Sequence, residues 1–155
     1  MSESLGGAAR ARSSVKPLPG KQVPALIVSP SSRDKQTLER ILQEDARWRV
    51  FCADTTERAL AALRFEAIPL VLFDTSVPTP DWHAAIRTLL SVSHPVCLLL
   101  VSPLVDYALW EELVQLGGFD VLPKPFDKDK VLRTLNFAVE HWHGGWIRRS
   151  FESAA

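Results

Sequence analysis

The chain has no net charge: eighteen Lys and Arg offset eighteen Asp and Glu among 155 residues. Without a global basic field, no nucleic-acid partner is expected, although neutral totals leave local patches open. Cysteine is scarce. Cys52 and Cys97 each stand in an apolar, strand-like run, with no second Cys or His at metal-ligand spacing. Two buried thiols in a reducing compartment are expected, rather than a disulfide or a zinc site. No apolar run approaches the roughly 20 residues of a membrane-spanning helix, so no membrane role is expected. The opening MSESLGGAARARSSVKPLPGKQ has no apolar h-region, which argues against a secretory signal. Glu3 and a weak apolar face argue against a transit peptide. Residues 1–22 are expected to form a flexible tail and the protein to be cytoplasmic.

Other patterns are missing too. The segment SPSSRD after the first apolar run has no glycine to let backbone cradle a phosphate, and Ser29 lacks a G-x-S-x-G setting. Nucleotide-binding and hydrolase readings weaken accordingly. His141 and His143 are two positions apart and share no helix face, and His83 and His94 are isolated and expected to be solvated. No metal ligand set is expected.

What is present is regular alternation. After Pro24, ALIV (25–28) reads as a strand, and a helical period follows from Asp34 through Leu38, Ile41 and Leu42. WRVFCA (48–53) reads as a second strand. Asp54 and Glu57 form an N-cap and N3 pair opening a helix through Ala59, Leu60 and Leu63. LVLF (70–73) is the third strand, and a short helix starts near Asp81 and runs through Ile86 to Leu90. PVCLLLV (95–101) is the most apolar segment and is expected to be the most central strand. A helix from Tyr107 to Leu116 stops at Gly117-Gly118, FDVL (119–122) is the fifth strand, and a last helix begins near Asp127. That helix should bury Val131, Leu132, Leu135, Phe137 or Ala138, and Val139.

Five continuous apolar strands alternating with five helices indicate a parallel sheet covered on both faces, hence a doubly wound α/β domain. Ligands in such folds lie beyond the carboxyl ends of the strands. There the chain places Ser29-Pro30 after the first strand, Asp74 after the third, Ser102 after the fourth and Lys124-Pro125-Phe126 after the fifth. A carboxylate, a hydroxyl and an amine on one edge suit phosphate handling: the acid accepts a phosphoryl group, and the other two hold its oxygens. Taken singly, each has a plainer role: Asp74 and Asp81 as turn or helix caps, Ser102 as a strand-end hydroxyl, Lys124 as a surface cation.

With these residues in this order, the chain resembles the receiver domain of two-component response regulators over about residues 23–140. The family's landmarks are an acidic pair after the first strand, an Asp after the third, Thr or Ser after the fourth, and Lys-Pro after the fifth. Asp74-Thr75-Ser76-Val77-Pro78 matches with Val for Met, Pro80-Asp81-Trp82 matches with Trp for Gly, and Lys124-Pro125-Phe126 matches in full. The resemblance implies a flavodoxin-like five-stranded fold over residues 23–141 and a signalling module that is not an enzyme. It implies Asp74 as phosphoacceptor, with Ser102, Lys124, Thr75 and Ser76 near the phosphate. It also implies a sensor histidine kinase or phosphotransfer protein as donor and a downstream protein as target.

Three departures qualify what is implied. Ser29-Pro30 replaces the acidic pair that binds Mg²⁺, leaving one carboxylate, Asp74, and at most weak metal binding. Asp34 lies a turn into the first helix and is not expected to substitute. Val121 stands where the family's switching aromatic ring is common, and Pro103 follows Ser102 and removes a backbone donor. Lys124 then becomes a standing salt-bridge partner of Asp74. The alternative to a phosphoacceptor is a phosphorylation-independent pseudo-receiver that works as a binding module. Residues 142–155, with Trp142, Trp146, Ile147 and Phe151, are expected to fold back on the last helix, or else to dock a partner or a second copy in a homodimer. This extension is too short for a DNA-binding output domain, and a stand-alone module is expected.

Overall fold

The computed structural model describes residues 22–142. Five strands, β1 (Val23–Val28), β2 (Trp48–Ala53), β3 (Leu70–Asp74), β4 (Cys97–Ser102) and β5 (Asp120–Pro123), form one parallel sheet in the order β2-β1-β3-β4-β5. The intervening helices are α1 (Ser32–Gln43), α2 (Thr56–Phe65), α3 (Trp82–Leu90), α4 (Tyr107–Gln115) and α5 (Lys128–His141). This is the expected doubly wound, flavodoxin-like sheet.

The three inner strands, β1, β3 and β4, are buried at every position. Successive side chains point to opposite faces, so a strand covered on both sides must be apolar throughout. Ala25, Ile27, Leu70 and Leu72 pack with Leu38, Leu42, Val131 and Leu135 on the α1/α5 face. Leu26, Val28, Val71 and Phe73 pack with Leu63, Ile86, Leu89 and Leu113 on the other face. Each such large side chain contributes about 1.5–3 kcal/mol by leaving water.

Several details differ from expectation. β3, not β4, is the central strand, because apolarity reports cover on two faces and does not rank the inner strands. Cys52 is exposed while Cys97 is buried, since β2 is an edge strand paired on one side only. The cap of α2 is Thr55, which accepts from the Arg58 N–H at 3.1 Å, whereas Asp54 pairs with the Arg58 guanidinium. On α5, Ala138 is buried and Phe137 is 57% exposed. Trp142, at the end of α5, is buried in the α1/α5 core, while Trp146, Ile147 and Phe151 lie outside the described residues.

Asp81 caps α3 as expected, accepting from the His83 N–H. The α4 stop at Gly117-Gly118 also holds. Gly117 adopts φ +98°, the Gly117 N–H donates to Val114 O, and the Gly118 N–H donates to Leu113 O. These two bonds are those of a Schellman motif. Gly118 also packs directly on the Leu113 side chain, leaving no room for a Cβ. No helix among the described residues is long and apolar enough to cross a membrane.

Candidate functional site

Strand order reverses between β1 and β3, so the crevice outside their carboxyl ends is the natural ligand position of this sheet. Ser29 follows β1 and Asp74 ends β3, and the two meet across that gap: Ser29 Oγ donates to Asp74 Oδ2 at 2.9 Å. Both are buried, with Asp74 only 2% exposed.

Asp74 is fully engaged by protein donors. Oδ2 takes Ser29 Oγ and Lys124 Nζ, the latter at 2.8 Å. Oδ1 takes the Ser76 N–H at 2.9 Å and Ser76 Oγ at 2.8 Å. The Ser76 contacts arise locally: the Asp74 carbonyl accepts from the Val77 N–H, which closes a turn and folds Ser76 back over the carboxylate. Burial pushes the Asp74 carboxyl up, but the bonds from Lys124, Ser76 and Ser29 outweigh it and hold its pKa below the usual carboxylate value.

Lys124 reaches the same point from the β5–α5 loop. Its backbone N–H donates to Ser102 O, which aims the side chain across the sheet edge. Its ammonium also lies 2.7 Å from Asp34 Oδ2. Burial pulls the lysine pKa down, but the two carboxylates more than reverse this and raise it.

Asp34 therefore joins the centre through Lys124, a contact distinct from the metal-ligand role it was not expected to take. It is the third residue of α1, and Ser31, the N-cap, accepts from its N–H at 3.1 Å. An acid at this position often closes a capping box by accepting from the cap's own N–H. Here the Ser31 N–H donates to Ser29 Oγ instead, and the Asp34 carboxylate goes to Lys124. The legible signal was helical register: α1 starts at the carboxyl end of β1, so its first turn stands at the sheet edge that carries the site.

The remaining predicted residues are near but not joined to the carboxylate. Ser102 is buried, yet its hydroxyl donates to Leu104 O and accepts from the Leu104 N–H within its own loop. Thr75 is tied to β4 through its N–H to Val101 O. Pro30 is exposed. Val121 is buried in the α2/α3/α4 core. Arg33, Asp34, Thr37, Pro103, Lys124 and Phe126 line a cleft of about 460 Å³ beside the centre. A second cleft, of about 500 Å³, includes Arg64, Glu66, Ser93 and His94 and lies at the amino ends of the strands, away from Asp74.

His83, expected to be isolated, is not. Its ring stacks on Trp82 at 3.9 Å and stands 3.2 Å from both Asp81 Oδ1 and Glu112 Oε1, joining α3 to α4. His94 is likewise anchored, with Nε2 3.2 Å from Ile68 O.

A doubly wound sheet whose central strand ends in Asp74, paired there with Lys124 from the β5–α5 loop, defines the class, a CheY-like receiver fold. Residues 25–136 match the family model of the response regulator receiver domain, and the chain belongs to that family. It is 25% identical over 132 residues to the C4-dicarboxylate transport transcriptional regulatory protein DctD of Rhizobium meliloti (strain 1021), covering 85% of this chain and 29% of that protein. It is 32% identical over 91 residues to the transcriptional regulatory protein CrdR of Helicobacter pylori (strain ATCC 700392 / 26695), covering 57% of this chain and 42% of that protein. The chain thus spans less than half the length of these relatives. A response regulator from Thermotoga maritima superposes with a TM-score of 0.71 at 24% identity, covering 77% of this chain and 98% of that one. The chemotaxis protein CheY4 of Vibrio cholerae gives 0.69 at 21% identity, covering 74% and 97%. These structures share the fold.

The family implies Mg²⁺, and the residues here do not fit it. Octahedral Mg²⁺ requires several oxygen donors with free lone pairs. Both Asp74 oxygens already accept two protein donors each, and Ser29 Oγ gives its proton to Asp74 while accepting from the Ser31 N–H. Pro30 has no side-chain donor atom. Among the described residues, no group of three His, Cys, Asp or Glu side chains is placed to hold a metal ion.

Proposed function

We propose that this chain is a receiver module of two-component signalling that works by protein–protein contact without needing phosphorylation: a pseudo-receiver. One observation carries this reading. Both oxygens of Asp74 are occupied by Ser29, Ser76 and Lys124, and the acidic pair that would bring a metal to them is Ser29-Pro30. A buried carboxylate whose oxygens each accept two hydrogen bonds is stabilised as an anion, and those bonds must loosen before either oxygen can attack a phosphoryl group. The contact surface in this reading is apolar and exposed: Leu104, Tyr107, Trp110 and Val114 lie on α4 and the loop before it, with Trp110 39% exposed. The partner is a protein of the signalling chain, such as a sensor histidine kinase, a phosphotransfer protein or a downstream target. In this reading the module acts in the cytoplasm alongside such partners.

A second reading keeps Asp74 as phosphoacceptor, with Ser102, Thr75 and Ser76 around the incoming oxygens. The Asp74–Lys124 pair at 2.8 Å and the buried Ser102 at the adjacent strand end favour it. Alkali- and hydroxylamine-labile labelling with acetyl phosphate and Mg²⁺ separates the two. The pseudo-receiver reading expects no label above the Asp74→Asn background. Stoichiometric labelling that Asp74→Asn abolishes establishes the second reading instead.

A further inference from the structure

The centre that lacks a place for metal has a cation of its own. Lys124 Nζ lies between two carboxylates, 2.8 Å from Asp74 and 2.7 Å from Asp34, and its side chain is 19% exposed. We infer that the Lys124 ammonium is the resident cation of this pocket, held there by Asp34 as a second anchor, and that it keeps divalent metal out by occupying the point on which both carboxylates converge. This rests on the metal-independent reading above and assigns Asp34 a positioning role that the family pattern does not supply.

The physical reason is charge and space. A divalent ion binds carboxylate oxygens at about 2.0–2.6 Å. To reach Asp74 and Asp34 together it would have to take the ammonium's position. It would displace two charge-assisted hydrogen bonds and force the lysine charge to remain nearby. Ser29 adds a hydroxyl proton, not a lone pair, on the Asp74 side. With only Asp74 as anchor, Lys124 would be free to swing aside on its flexible stem. The bond to Asp34 removes that freedom. Conversely, a neutral residue at 124 leaves two carboxylates facing one another with nothing between them. That arrangement attracts a divalent cation.

Mn²⁺ provides the probe, with free ion counted by electron paramagnetic resonance in titrations of the full chain. Wild-type protein is expected to show no saturable site in the millimolar range. Lys124→Met is expected to bind one Mn²⁺ at least tenfold more tightly than wild type, and Lys124→Met/Asp34→Asn to lose that gain. Lys124→Gln, which keeps a neutral donor, is expected to gain binding too and provides the readout if the Met variant does not fold by circular dichroism. Wild-type binding as tight as that of the variants overturns the inference. So does a folded Lys124 variant that gains nothing, or a double variant that keeps the gain. Acetyl phosphate labelling of the same samples keeps the two failures apart. Metal binding by wild type without label at Asp74 sinks only this inference, whereas label at Asp74 sinks the proposed function.

Discussion

Asp34 and Lys124, 90 residues apart in sequence, form a 2.7 Å hydrogen-bonded ion pair at the carboxyl edge of the sheet. It ties the first turn of α1 to the loop after β5. Through the shared ammonium it is coupled to Asp74, so the three residues behave as one unit.

Removing the lysine should therefore cost more than removing Asp34. Lys124→Met leaves buried Asp74 without its counter-ion and is expected to lower unfolding stability by about 1–3 kcal/mol. Asp34→Asn, at a partly exposed end of the pair, should cost under about 1 kcal/mol. Urea unfolding of the two variants and their double checks both figures. A coupling energy of zero in that cycle would show that the pair is not energetically linked.

Stability should fall at both pH extremes through this unit. The Asp74 pKa is lowered in the fold, so its contribution is present above the ordinary value of about 3.9 and is lost as pH falls through the folded value. The Lys124 pKa is raised, so its contribution is present below about 10.4 and is lost as pH rises through the folded value. Between those limits the pair adds no slope. Thermal melts from pH 2 to 5 should show a shallower acid decline in Asp74→Asn than in wild type.

Two phenylalanines of opposite burial separate packing from composition. Phe73 is fully buried on β3 beside Asp74, and Phe65 is 90% exposed at the end of α2. Phe73→Ala should cost about 3–5 kcal/mol by transfer and cavity terms. Phe65→Ala should stay within about 0.5 kcal/mol of wild type. Chemical denaturation midpoints at constant slope are the measurement.

The two thiols should react in sequence. Cys52 lies exposed on the edge strand, and Cys97 is buried in β4 with burial pushing its pKa well up. Ellman's reagent should modify one thiol per native chain and the second only on unfolding. In Cys52→Ser the native reaction should vanish.

Much of this was readable along the chain. The runs ALIV, LVLF and CLLLV were legible as strands covered on both faces, because such strands bear no polar residue, but their order in the sheet was not. Asp81 and Gly117-Gly118 set helix ends through local chemistry that needs no distant partner. Asp74 and Lys124 were legible because their positions at strand ends are fixed by chain order. Asp34 was legible only as a first-turn residue near that edge: its partner depends on where a carboxylate at the third position of α1 points relative to a loop 90 residues later. The role of His83 was not legible, since its partner Glu112 lies on another helix.

By itself, then, the sequence determined the α/β alternation, the order of polar residues along the strand ends and the loss of the acidic pair at Ser29-Pro30. Those features are local or follow from chain order. Tertiary structure decided which of these groups touch. It turned Ser102 into its own loop, brought Ser29 onto Asp74 across the switch point, and set one ammonium between two acids. Such contacts are set by side-chain direction and inter-element packing over a few ångströms, which no one-dimensional pattern encodes.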